Sequence, residues 1–235
     1  IKEAISDYEK AINLDQKNYN AFYNLGNLYK ENDQLEKALE NFNHAILINK
    51  NLYKAYHNRA VVKSILAEFK EAINDFDKAI EINPTYSNSF FFKSLVQLKT
   101  GDFENGWKNY EHRWNSTNFP TPKKKLQKPY WNGIDDLSNK TILIHGEQGL
   151  GDNIQFIRYF NIIKSKAKKA LLQVDKRLVR LFQDSKISKD IFSNNDSLPK
   201  FDVHCPLLSL PFKLSTNIKN IPFNDKYLFP DIDRV

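Results

Sequence analysis

The sequence predicts an α-helical solenoid of short helix–turn–helix units followed by an α/β domain. Three observations predict it: a 34-residue period through the first half, a strand, glycine-rich turn, helix and strand beginning at Thr141, and a change of charge between the halves. Of the 235 residues 41% are hydrophobic and 27% charged, which is enough to bury a core and excludes wholesale disorder. Residues 1–114 carry a net charge of −1 and residues 115–235 a net charge of +8, so two regions of different character join near residue 115. No apolar stretch approaches the roughly 20 residues of a membrane-spanning helix. The opening IKEAISDYEK lacks the apolar core of a secretory signal. One cysteine, Cys205, excludes an internal disulfide and a cysteine-based zinc site. A soluble, cytoplasmic chain without a membrane span is expected.

The period comes first. Steps of 34 residues from Ala4 reach Ala38, Ala72 and Gly106; from Tyr8 they reach Phe42, Phe76 and Tyr110; from Ala11 they reach Ala45, Ala79 and Arg113. Within each unit a small residue, an aromatic four on and a small residue three further share one helical face. The preceding helix places Phe22, Leu25, Gly26 and Tyr29 on a buried stripe, with counterparts at Tyr56 and Ala60, then Phe90 and Ser94. Gly26, Ala60 and Ser94 let paired helices approach, and the aromatics fill the remaining space. Turns fall at residues 32–34, at Asn83-Pro84 and at Thr100-Gly101-Asp102. The last unit ends GDFENGWKNYEHRW, with Arg113 and Trp114 closing it, which suggests docking against the next domain.

A helix–turn–helix unit of this length and composition, strongest in YNLGNLYKENDQLEKALENFNHAI, resembles the tetratricopeptide repeat (TPR). Residues 1–14 read as the second helix of a repeat, followed by units at 18–51, 52–85 and 86–114. More repeats are expected upstream, since a solenoid needs a polar terminal cap. The resemblance implies a concave groove lined by first helices and a protein or peptide partner. Asn24 and Asn58, one period apart, are the candidates for bonding a peptide backbone; asparagine there is also part of the ordinary repeat pattern. His44, His57 and His112 are singletons on repeat helices, so no metal site is expected.

Residues 115–140 read as an extended connector, marked by Pro120, Pro122 and Pro129. Tyr130 and Trp131 are expected to pin its end to an apolar surface. The run Lys123-Lys124-Lys125 lacks interleaved aromatics, and no nucleic-acid partner is expected. Residues 141–145 (TILIH) and 170–174 (ALLQV) read as strands around the helical NIQFIRYFNIIKSK, the start of a parallel sheet. KRLVRLFQ follows as a helix, then IFS and FDVHCP as strands. Ligands of such sheets gather at the carboxyl ends of the strands, where GEQGLGD sits.

In that loop Gly146, Gly149 and Gly151 permit positive φ and open backbone amides. Glu147 and Asp152 are paired carboxylates able to orient and deprotonate a hydroxyl; from the residues alone Asp152 reads first as a plain N-cap. The pattern lacks the third glycine of GxGxxG and any GK[ST], so neither a dinucleotide nor a nucleoside triphosphate is indicated, and no cofactor is expected.

TILIHGEQGLGDNIQFIRY, with GDFENGWKNYEHRW before it and LPKFDVHCPLLSLP after it, resembles bacterial TPR proteins fused to a heptosyltransferase-like family 9 glycosyltransferase domain. The resemblance implies a GT-B architecture of two Rossmann-like halves, the first for a sugar or glycan acceptor, the second for a nucleotide-sugar donor. It also implies an inverting, metal-independent reaction in which Gly151-Asp152 supplies the base. Gln148, Gln155, Arg158 and His204 would then face the acceptor with Glu147, Gly149 and Gly151. Residues 141–235 suffice for one Rossmann-like half. The donor half is expected outside this sequence, and the stretch alone is expected to be inactive. The alternative from a different class is a non-catalytic TPR scaffold on an α/β platform.

Overall fold

A computed structural model describes residues 1–147, 149–222 and 226–229. The chain divides into two compact units, Ile1–Phe119 and Pro120–Val235.

The first unit is helical: α1 (Lys2–Leu14), α2 (Tyr19–Glu31), α3 (Leu35–Ile48), α4 (Tyr53–Ile65), α5 (Phe69–Ile82), α6 (Ser87–Lys99) and α7 (Phe103–Tyr110), closed by a 3-10 turn at Glu111–Asn115. Helices pack as sequential pairs, α2 on α3, α4 on α5 and α6 on α7, and the first helices of neighbouring pairs also touch. The period explains the packing. Ala38, Phe42 and Ala45 of α3, and Ala72, Phe76 and Ala79 of α5, are fully buried. Removing each phenylalanine from water contributes roughly 2 kcal/mol by area. A Cβ on Gly26 would stand 2.8 Å from the Phe42 ring, so glycine sets the approach of α2 to α3. Asn18 caps α2 by accepting from the Ala21 amide at 3.0 Å, and Asp102 caps α7 through the Asn105 amide. The turns share one device. Asp33, Ala67 and Gly101, one period apart, all adopt positive φ (58°, 62° and 88°), which reverses the chain between paired helices.

The aromatic end of the last repeat docks within its own unit. Arg113 is fully buried, its guanidinium 4.2 Å from the Trp114 ring centroid, 4.6 Å from Tyr110 and 5.8 Å from Phe119, and paired with Glu111 at 2.7 Å. Residues 116–119 fold back, with Ser116 Oγ and the Thr117 amide both donating to Asn88 Oδ1 and Phe119 set edge-on to Phe91. The segment therefore packs on α6.

The second unit holds a four-stranded parallel sheet ordered β3-β2-β1-β4, with β1 at Thr141–His145, β2 at Lys169–Val174, β3 at Ile191–Ser193 and β4 at Val203–Pro206. Helices α8 (Leu150–Phe156), α9 (Phe160–Lys166), α10 (Lys176–Asp184) and α11 (Leu210–Lys213) connect and follow the strands. Ile142, Leu143 and Ile144 of β1 and Leu171 and Leu172 of β2 are all fully buried, the continuous apolar run of a sheet covered on both faces. Chain order reverses direction between β1 and β4, and in open parallel sheets ligands gather at the carboxyl ends beside such a switch point. The stretch expected as a connector is divided: residues 116–119 join the helical unit, while Trp131 donates its amide to the His204 carbonyl at 2.8 Å and is buried beside β4.

Candidate functional site

The glycine-rich loop leads from the carboxyl end of β1 into α8, and its described residues differ in what they do. Gly149 takes φ +73° and stands at the N-cap of α8, so positive φ is used there. Gly146 has no positive φ. Its amide donates to the Gln173 carbonyl at 2.7 Å, and the buried Asn153 side chain fills the space a Cβ would need. Gly151 corrects the expectation for all three: it lies within α8 without positive φ, and a Cβ there would meet open space. Asn153, overlooked in the sequence, ties the loop to the helix by donating to the Gly149 carbonyl at 2.6 Å.

The two carboxylates part ways. Glu147 Oε1 accepts from the Leu208 amide at 3.2 Å, bracing the loop after β1 against the turn after β4. Asp152 is half-buried in the first turn of α8, with its carboxylate turned back toward Gly149. It is not the N-cap, and among the described residues it makes no hydrogen bond or ion pair. Burial alone raises its pKa above the ordinary aspartate value.

The remaining candidates sit differently. Gln148 lies outside the described residues. Gln155 is exposed, and its carbonyl accepts from Arg158 Nε at 2.8 Å. Arg158 turns to Tyr227, donating to its hydroxyl at 3.0 Å and stacking 4.8 Å from the ring, while that hydroxyl donates to the Ile154 carbonyl. His204 is enclosed at 1% exposure, sharing a hydrogen bond of 3.2 Å with His145 and packing 4.3 Å from Tyr130. Burial lowers its pKa, and Lys123 pushes the same way against a backbone hydrogen bond. The sequence carried no signal for the His145–His204 pair, because only strand register brings residues 59 apart together.

On the helical unit Asn58 Nδ2 donates to Asn27 Oδ1 at 2.7 Å and to the Tyr23 hydroxyl at 3.2 Å, joining α4 to α2. Its Oδ1 is unused among the described residues. Asn24 is half-exposed and makes no hydrogen bond among them. No group of three or more metal-ligating side chains occurs among the described residues.

Family models described as tetratricopeptide repeat match residues 19–52 and 53–86, and a further TPR-repeat model matches residues 1–33. The amino-terminal unit is a TPR solenoid. Solved structures show the same kind of likeness at low identity. MamA is 22% identical, with a TM-score of 0.44, over 46% of this chain and 63% of its own. YrrB, described as a TPR protein with an unusual peptide-binding site, is 21% identical, with a TM-score of 0.42, over 46% and 61%. The first TPR of Spaghetti (RPAP3), bound to the HSP90 peptide SRMEEVD, is 19% identical, with a TM-score of 0.40, over 42% and 78%. The chain spans about three fifths of the length of MamA and YrrB. No curated protein matches it. Among the described residues no helix is long and apolar enough to cross a membrane.

Proposed function

We propose that the TPR unit docks a protein or peptide partner along its first helices. The supporting observation is the row of half-exposed amides on neighbouring helices: Asn24 has its whole amide unused and Asn58 its Oδ1. Amides in such a row pair with an extended peptide backbone, which offers one donor and one acceptor per residue. YrrB is described as having an unusual peptide-binding site and the first TPR of Spaghetti as bound to a peptide, the kind of interaction proposed for this chain. The test selects peptides from a displayed library on the full chain and measures affinity by fluorescence polarisation. Asn24→Ala, which breaks no internal bond, should weaken binding about tenfold, the loss of one or two net hydrogen bonds. Peptides that bind the wild type and the variant equally would contradict the assignment.

The Asp152 geometry favours a second role for the α/β unit, as the acceptor half of an inverting sugar transferase. There the Asp152 carboxylate takes the proton of an acceptor hydroxyl, the oxygen bonds to the anomeric carbon, and the bond from that carbon to the nucleoside diphosphate breaks. A half-buried carboxylate with raised pKa is the stronger base for that step. Glu147 and Asn153 hold the loop rather than the substrate. A screen of nucleotide-sugars tests this: Asp152→Asn should lower kcat about a thousandfold. Transfer that survives the substitution would remove Asp152 from the chemistry.

A further inference from the structure

The carboxyl ends of β2 and β3 carry a second polar cluster, away from Asp152. Lys124 Nζ donates to the buried Gln173 Oε1 at 2.8 Å and to Asn194 Oδ1 at 3.1 Å. Both partners are neutral amides. Lys124 is half-buried, forms no ion pair among the described residues and has one of its three N–H donors left over. Burial holds its pKa below the ordinary lysine value. A cation withdrawn from water without a counter-charge is costly, and an arriving anion removes that cost. Asn194 also lines an adjoining cavity of about 320 Å³ whose wall includes Asp175, Lys176, Arg177 and Asn195. Asp175 is already neutralised by Arg177 at 2.8 and 2.9 Å, and Lys176 is exposed without an ion pair among the described residues. Asp196 Oδ2 accepts from the Ser193 amide in the same turn, so Lys124, Lys176 and Arg177 stand against Asp175 and Asp196 and the corner stays net cationic by one charge.

We propose that Lys124, bonded to the Asn194 side chain in the cavity wall, joins Lys176 and the Asn194–Asn195 turn in holding the phosphoryl group of a small ligand at the Asn194 side of this cavity. The assignment rests on no property of Asp152. It absorbs part of the lysine run, whose middle member folds onto the sheet while Lys123 lies 4.3 Å over the Tyr130 ring. Calorimetric titration of the full chain with pyrophosphate, glucose 1-phosphate and glucose separates phosphoryl from sugar recognition. Pyrophosphate and glucose 1-phosphate should bind at millimolar concentration or tighter and glucose should not. Lys124→Met should weaken both by about tenfold, the loss of one charge-assisted hydrogen bond. Where the variant does not fold, acetic anhydride labelling of the wild type read by mass spectrometry replaces it. Pyrophosphate should then protect Lys124 and leave the exposed Lys125 unchanged. Absence of binding by either phosphate compound, equal binding by Lys124→Met, or labelling of Lys124 indifferent to pyrophosphate would each overturn the proposal.

Discussion

Two ionisable groups, one buried and one half-buried, make opposite demands on pH. His57 is 5% exposed, shares a hydrogen bond of 3.1 Å with Ser89 and is ringed by Phe76, Tyr86 and Phe92. Burial, followed by the charge of Lys30, pushes its pKa down to about 4. The unfolded chain, with histidine near 6.5, then binds more protons than the folded one. The neutral ring's contribution is fully present above pH 6.5 and is lost as pH falls towards 4, by about 3 kcal/mol. Urea titrations of the wild type and His57→Gln at pH 7 and pH 4 read this term, and a difference between the two that does not change with pH would refute it. Asp152 runs the other way. Its raised pKa means the folded chain holds the proton more tightly, so its ionisation destabilises the fold as pH rises through the aspartate range. Asp152→Asn should melt at pH 7 no lower than the wild type, whereas a capping or ion-paired aspartate would melt lower.

At the level of elements, the repeats were legible because each helix must present a small residue, an aromatic and a small residue at fixed spacing to bury one face. The turns were legible only in part. Gly101 and Asp33 announce a left-handed residue, but Ala67 occupies the same place with φ 62°. An L-residue with a Cβ is strained there, so Ala67→Gly should stabilise the helical unit by about 1 kcal/mol in chemical denaturation. A loss of stability would show that the turn is not strained. The strands of the second unit were legible from apolar β-rich runs, and the loop from its glycines. What those glycines do was not. The separate tasks of Gly146 and Gly149 depend on Asn153 folding back over the loop, a contact without periodicity. The bracing role of Glu147 likewise depends on Leu208, 61 residues on, which only the β1–β4 pairing brings near.

Across the whole molecule, charge and architecture divide together. The nearly neutral helical unit places unused amides on adjacent helices, while the basic α/β unit gathers its polar groups at the carboxyl ends of parallel strands. The TPR unit declares its class because its period is its structure. The α/β unit leaves its chemistry to a few side chains whose neighbours are set by strand register. The amide row is tested most directly by side-chain amide spectra of a nitrogen-15 labelled full chain, recorded as a library-selected peptide is added. Resonances of Asn24, Asn27 and Asn58 should move together in proportion to bound peptide. Peptide binding that leaves those three unmoved and shifts α3 and α5 instead would contradict docking on the first helices.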